Sequence, residues 1–92
     1  MVYSAQGIQI LAANEGRKLL LPVNRFSLTI QNKGVGSVVL KKDAPPSSTT
    51  DGDVIFSGGQ LVDDGADVHQ GEWWALEVSG LGATISIDET QV

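Results

Sequence analysis

The chain predicts an all-β fold, a single small antiparallel sandwich of about seven to eight short strands. Three observations carry that prediction. Strand-forming runs recur at short intervals, separated by glycine, proline, asparagine and aspartate. Two of the runs alternate apolar and polar residues, the period of a sheet with one buried and one wet face. No stretch combines a 3.6-residue apolar period with helix caps; "ANEGRKLLL" could form one helical turn, but Gly16 lies inside it and Pro22 follows.

The expected strands are Gly7–Ala12, Arg17–Leu21, Phe26–Gln31, Ser37–Lys41, Val54–Phe56, a short Gln60–Val62, Trp73–Ser79 and Ala83–Asp88. In "RFSLTIQ", Phe26, Leu28 and Ile30 should face the core, and Ser27, Thr29 and Gln31 the solvent. Asn32 and Gly34 in the following "NKGVG" suit the positive φ angles of a hairpin turn, which would join this strand directly to Ser37–Lys41. "KKDAPPSSTTDGD" is the main irregular segment, expected to be a mobile surface loop at about 43–53, because Pro45 and Pro46 favour extended geometry and the hydroxyl residues after them bury little. In "EWWALEV" the alternation assigns Trp74, Leu76 and Val78 to the core and Trp73, Ala75 and Glu77 to the outside. In "ATISID", Ala83, Ile85 and Ile87 oppose Thr84, Ser86 and Asp88.

A length of 92 residues fits one domain, 1–92, and a domain this small gains stability from partners or self-association. There is no cysteine, so neither disulfides nor thiolate zinc sites can staple it. "MVYSAQG" lacks the features of a signal peptide, and runs such as "LLL" are far too short to span a bilayer, so a soluble, cytoplasmically made protein is expected. Charge is divided along the chain. All six basic residues stand at or before Lys42 with one acid, Glu15; from Asp43 onward there are ten acids and no lysine or arginine. The net charge of −5 argues against nucleic-acid binding. Either the halves interleave and their charges mix, or they form a bipolar surface that steers assembly.

Four candidate sites follow from residue types. Gly34 and Gly36 could begin a phosphate loop, but "SVVLKK" after them is strand-like and supplies no helix N-terminus for a phosphate to cap. The clusters Asp51/Asp53 and Asp63/Asp64/Asp67 could offer oxygens to calcium, although neither matches an EF-hand loop and aspartate and glycine are ordinary turn residues. His69, beside Asp67, has no nucleophile motif around it, so no catalytic residue and no cofactor are expected. An outward Trp73 would either be covered by a loop of the same chain or anchor a partner, with Lys33, Lys41 and Lys42 as further interface candidates from the basic half.

The run "LLLPVNRFSLTIQNKGVGSVVL", followed by "VIFSGGQL" and "GEWWALEVSGLGATISIDE", resembles small β-sandwich virion proteins of tailed bacteriophages, such as capsid decoration (cement) or head-fibre proteins, over roughly Ile8 to Glu89. Where members of that family continue the second strand with glycine-rich or aromatic residues, this chain has "VVLKKDAPP". The resemblance implies a jelly-roll-like sandwich without catalytic or cofactor residues. Its partner would be the major capsid protein, and it would self-associate, as a homotrimer, on the surface of a capsid assembled in the host bacterial cytoplasm. No nucleic acid or membrane partner is implied. Two other functions are compatible with the residues: a receptor- or carbohydrate-binding module of a tail or fibre, and a head–tail joining or tail-tube component.

Overall fold

The computed structural model describes residues 3–21, 24–65 and 68–91. Among these residues there are eight strands: β1 (Tyr3–Leu11), β2 (Gly16–Leu20), β3 (Arg25–Asn32), β4 (Val38–Lys42), β5 (Asp53–Ile55), β6 (Gln60–Asp64), β7 (Trp73–Glu77) and β8 (Ala83–Gln91). Each of the eight expected strands is present, most displaced by a residue or two and β1 and β8 extended. They form two antiparallel four-stranded sheets, ordered β1-β8-β3-β6 and β2-β7-β4-β5. Only β4 and β5 are consecutive strands in one sheet; every other connection crosses between sheets, which is the double Greek key of a jelly roll.

This winding resolves the charge question. Every pairing joins a strand from the first half of the chain to one from the second. Bases and acids segregated in sequence therefore alternate in space, and Lys18–Glu72, Arg25–Glu89 and Lys41–Asp51 form ion pairs at 2.8–3.0 Å between the halves. The surface is mixed rather than bipolar.

Three expectations need correction. The "NKGVG" segment is not a hairpin tip: β3 and β4 lie in different sheets, and the segment arches over the core between them. Phe26 is not in the core; it is half exposed, and Arg25 is buried instead. The pairing of β3 with β8 shifts register between Arg25 and Ser27, so the extra residue of a bulge turns Phe26 outward while Leu28 and Ile30 keep their inward places. Trp73 and Trp74 are exchanged: Trp73, Ala75 and Glu77 are buried, whereas Trp74, Leu76 and Val78 are partly exposed. Alternation was misleading here because it placed the charged Glu77 on the wet side, whereas hydrogen bonds hold that carboxylate inside. The inward set of β8 is as expected, with Ala83, Ile85 and Ile87 buried against Leu28, Leu40 and Trp73 in one core cluster.

The molecule measures 40 × 21 × 17 Å. A nine-residue strand such as β1 is about 30 Å long, so the long axis must follow the strands. The sandwich thus has two narrow ends. At one end gather the loops β1–β2, β3–β4, β5–β6 and β7–β8; at the other lie β2–β3, β4–β5 and β6–β7 together with the start of β1 and the finish of β8.

Candidate functional site at the loop ends

The four-loop end is built on a buried asparagine and a buried glutamate. Asn32 continues the inward parity of Leu28 and Ile30, and its position at the strand end lets it serve three loops. Its amide donates to the carbonyls of Gly36 (2.7 Å) and Ile55 (3.1 Å), and its side-chain oxygen accepts from Gly34 N–H (3.1 Å). Its backbone exchanges hydrogen bonds with Gly58 and Gly59 in the β5–β6 turn. Glu77 clamps the β1–β2 and β7–β8 loops. Its carboxylate accepts the N–H of Asn14, Ser79 and Gly80 at 2.8–3.0 Å, and the Ser79 hydroxyl. Burial alone would raise the Glu77 pKa; the bonds from Asn14, Ser79 and Gly80 outweigh it and hold the group at about 2.

The two glycines of "NKGVG" have their explanation in this packing. A Cβ on Gly34 would lie 2.6 Å from the Thr84 amide nitrogen, and one on Gly36 would overlap the Gly82 carbonyl and sit 2.7 Å from the Glu77 carboxylate. The glycines allow the β3–β4 arch to lie directly on the β7–β8 loop, so this backbone faces protein and not a phosphate. With the polar groups turned inward, the loop tips present Val35 and Leu81, flanked by Phe56 and Ile10, each at least two-thirds exposed. A groove of about 350 Å³ runs between three of the loops, lined by residues of Ile10–Ala13, Gly34–Val35 and Gly80–Thr84, and none of its lining residues is charged.

The opposite end is closed by Arg25, whose side chain is fully buried. Its guanidinium donates to Glu89 (3.0 Å) and to the carbonyls of His69 (2.6 Å), Gly71 (3.1 Å) and Leu21 (3.0 Å), which ties β8 to both the β2–β3 and the β6–β7 loops. Gln70 brackets the Arg25 backbone, accepting its N–H and donating to its carbonyl. His69 meets Asp43 of the β4–β5 loop at 3.0 Å and stands edge-on to Trp73. Lys42 lies over the other ring of this group, 5.5 Å from the Trp73 centroid. The Trp73 indole N–H is buried with no hydrogen-bond partner among the described residues.

The residues singled out from sequence are distributed as follows. Asp51 holds the β4–β5 loop: Lys41 donates to it at 2.9 Å and Ser47 donates through its N–H and hydroxyl, the Lys41 bond contributing most to a pKa of about 2. Asp53 is exposed at the start of β5, Asp63 accepts the His69 N–H, Asp64 is exposed on β6, and Asp67 lies outside the described residues. Among the described residues no three acids or histidines come together as a metal-binding group. Lys33 adjoins the apolar end, Lys41 is paired with Asp51, and Lys42 belongs to the Arg25 end. It is Trp74 that lies on an outer face, between Lys18 and Lys41 in register, with its indole N–H donated to Glu72 at 2.9 Å.

Sequence reasoning missed the buried polar set Arg25, Asn32, Glu77 and Glu89. For three of them a signal existed: Asn32 follows Leu28 and Ile30, Glu89 follows Ile85 and Ile87, and both keep the inward parity; Glu77 shares the parity of Ala75. A scan of known protein-family models finds no match to this chain, and a search of curated proteins finds no relative.

Proposed function

We propose that this chain is a structural protein of a tailed-phage virion, a decoration (cement) protein that binds the outside of the assembled head and stabilises it by bridging neighbouring subunits of the major capsid protein. The observation that carries the reading is how the polar groups are used. The buried ones, Arg25, Asn32, Glu77 and Glu89, hold loops and strand ends in place, and what the fold leaves unused at the four-loop end is an apolar groove whose lining carries no charge. That is the anatomy of a binding module, in which the scaffold fixes the surface and the surface makes contact. The resemblance of its strand and turn pattern to small phage virion sandwiches supports the same role. Self-association as a closed trimer on three-fold positions of the head would place identical ends of all copies on one side.

Particles that assemble without the chain provide the test. Heads lacking it should release their DNA at a lower temperature than heads to which the purified chain has been added back, and the added chain should sediment at about three times 9.7 kDa. Equal thermal release with and without the chain contradicts the cement reading.

A second reading has one observation in its favour. On the outer face of the β1-β8-β3-β6 sheet, Thr29, Gln31, Lys33, Ser86 and Asp88 line a depression of about 570 Å³, and their side chains make no bonds within the described residues. Such free polar groups suit a glycan; binding on a glycan array that is lost in Gln31→Ala would favour a receptor-binding module.

A further inference from the structure

β1 is an unprotected sheet edge, and we infer that it pairs antiparallel with β1 of a second copy of this chain, about a two-fold axis at Gly7. This contact goes beyond the decoration reading and does not depend on it. Among the described residues the strand order leaves four edges, β1, β6, β2 and β5, and three of them are blunted. β5 has only three residues. β6 ends in Asp63 and Asp64. β2 carries Arg17 and Lys18, and its register shifts between Lys18 and Leu20. Short length, charge and bulges are the ordinary means by which an edge turns another strand away. β1 has none of them. Its nine residues, "YSAQGIQIL", include no charge and no proline, and its register with β8 runs unbroken from Tyr3 to Leu11.

The Lys33 N–H donates to the Thr84 carbonyl, and that bond fixes which backbone groups the edge presents. Thr84 turns its backbone toward β3, so Ala83, Ile85 and Ile87 turn theirs toward β1 and bond Leu11, Gln9 and Gly7. The N–H and C=O groups of Ser4, Gln6, Ile8 and Ile10 therefore face the open side, a row that another extended strand matches. Self-complementarity selects the occupant. Antiparallel pairing about Gly7 sets Tyr3 opposite Leu11, and every open group meets a complementary one, Ser4 with Ile10 and Gln6 with Ile8. No like charges are opposed, as they would be between two β2 or two β6 edges. Ile8 and Ile10 are 66% and 68% exposed on the outer face, and Ile8 gains its own counterpart as a diagonal neighbour. Gly7 is an independent sign. Its φ is not positive and a Cβ there would meet nothing within 4 Å, so nothing inside the chain requires glycine. A glycine within a strand weakens it and often marks the close approach of another backbone. At the two-fold the two glycines form a non-hydrogen-bonded pair, the narrow kind, with Cα atoms about 4.5 Å apart. Paired copies run their long axes in opposite directions, so the contact forms between free chains rather than among copies standing on a shell. Combined with a three-fold, it joins two trimers into one closed assembly.

The chain has no cysteine, so introduced ones report the contact without background. Gly7→Cys, Val62→Cys on the β6 edge, and the double variant Gly7→Cys/Ile8→Pro are oxidised mildly at about 1 mM, where weak contacts fill, and run on a denaturing gel. Thermal melts confirm that each is folded; proline at position 8 removes only an N–H on the open side. Gly7→Cys should be trapped largely as a pair of twice 9.7 kDa, because its spacing lies within the roughly 4.4–6.8 Å between Cα atoms of a disulfide. Val62→Cys should stay single, and Ile8→Pro should cut the trapped pair by roughly tenfold or more. No pair from Gly7→Cys, an equally abundant pair from Val62→Cys, or a pair undiminished by Ile8→Pro overturns the assignment, and all three leave the decoration reading standing because no head is present. If Ile8→Pro weakens binding to heads while Gly7→Cys yields no pair, the edge receives a strand of the shell, and the second copy is overturned equally.

Discussion

The two ends of this sandwich solve the same structural problem with opposite surfaces. Each must fasten loops that cross between sheets, and each does so with a buried polar side chain. At one end Asn32 and Glu77 receive and donate bonds almost wholly to backbone, and the loop tips are left apolar. At the other, Arg25 takes four acceptors and is surrounded by polar side chains, Glu89, Asp43, His69 and Lys42. Leu21 and Phe26 are exposed there as well, but scattered among those polar groups rather than gathered on one groove. The difference teaches that a loop end becomes a contact surface when its anchoring is directed inward to the backbone, because the outward side chains are then released from any structural task.

The comparison can be broken, or sharpened, by substitution. The largest effects belong to the Arg25 end. Arg25→Met removes the buried counter-charge of Glu89 and strips three part-buried carbonyls of their donor, and should cost about 3–5 kcal/mol in urea unfolding. Trp73→Ala should cost a similar ~3–5 kcal/mol by opening a core cavity, with Trp74→Ala far milder; equal costs would mean the β7 facing is wrong. At the four-loop end, Gly36→Ala should lose about 1–3 kcal/mol, because the new methyl meets the Gly82 carbonyl and the β3–β4 arch must lift.

Glu77 gives a pH signature. Its folded pKa, about 2, lies below its ordinary 4.5, so its contribution is full above 4.5 and lost as pH falls toward 2. Melts of wild type and Glu77→Gln should be furthest apart at neutral pH, by about 1–3 kcal/mol, and converge through that acid window. A constant difference down to pH 2 would show that the carboxylate charge is not what holds the loops. The smallest effect is expected at the tips, where Val35→Asp and Leu81→Asp should each shift stability by no more than about 0.5 kcal/mol, since both side chains stand in solvent. A large loss would make them packing residues and remove the contrast between the ends.

The strands were legible because period-two alternation and turn residues are local properties, and Leu28, Ile30, Ile85 and Ile87 lie where that pattern puts them. Sheet membership was not legible. A glycine-rich turn such as "NKGVG" serves a hairpin or an arch equally well in sequence, and the choice is made by Asn32 and by contact with Gly82 and Thr84, some 50 residues away. The β3 bulge that exchanges Phe26 for Arg25 depends likewise on the distant partners Glu89, His69 and Gly71. The apolar end could not be read because Ile10, Val35, Phe56 and Leu81 are scattered along the chain and meet only through the jelly-roll winding. The charge asymmetry was plain in sequence, yet its meaning was topological: it is the consequence of a winding in which each half of the chain pairs only with the other.

Cryo-imaging of the virion at side-chain resolution tests the central claim most directly. The account predicts density for this chain on the outside of the head, with the apolar end that carries Val35 and Leu81 against the shell. A head without this density, or one with the Arg25 end against the shell, would contradict it.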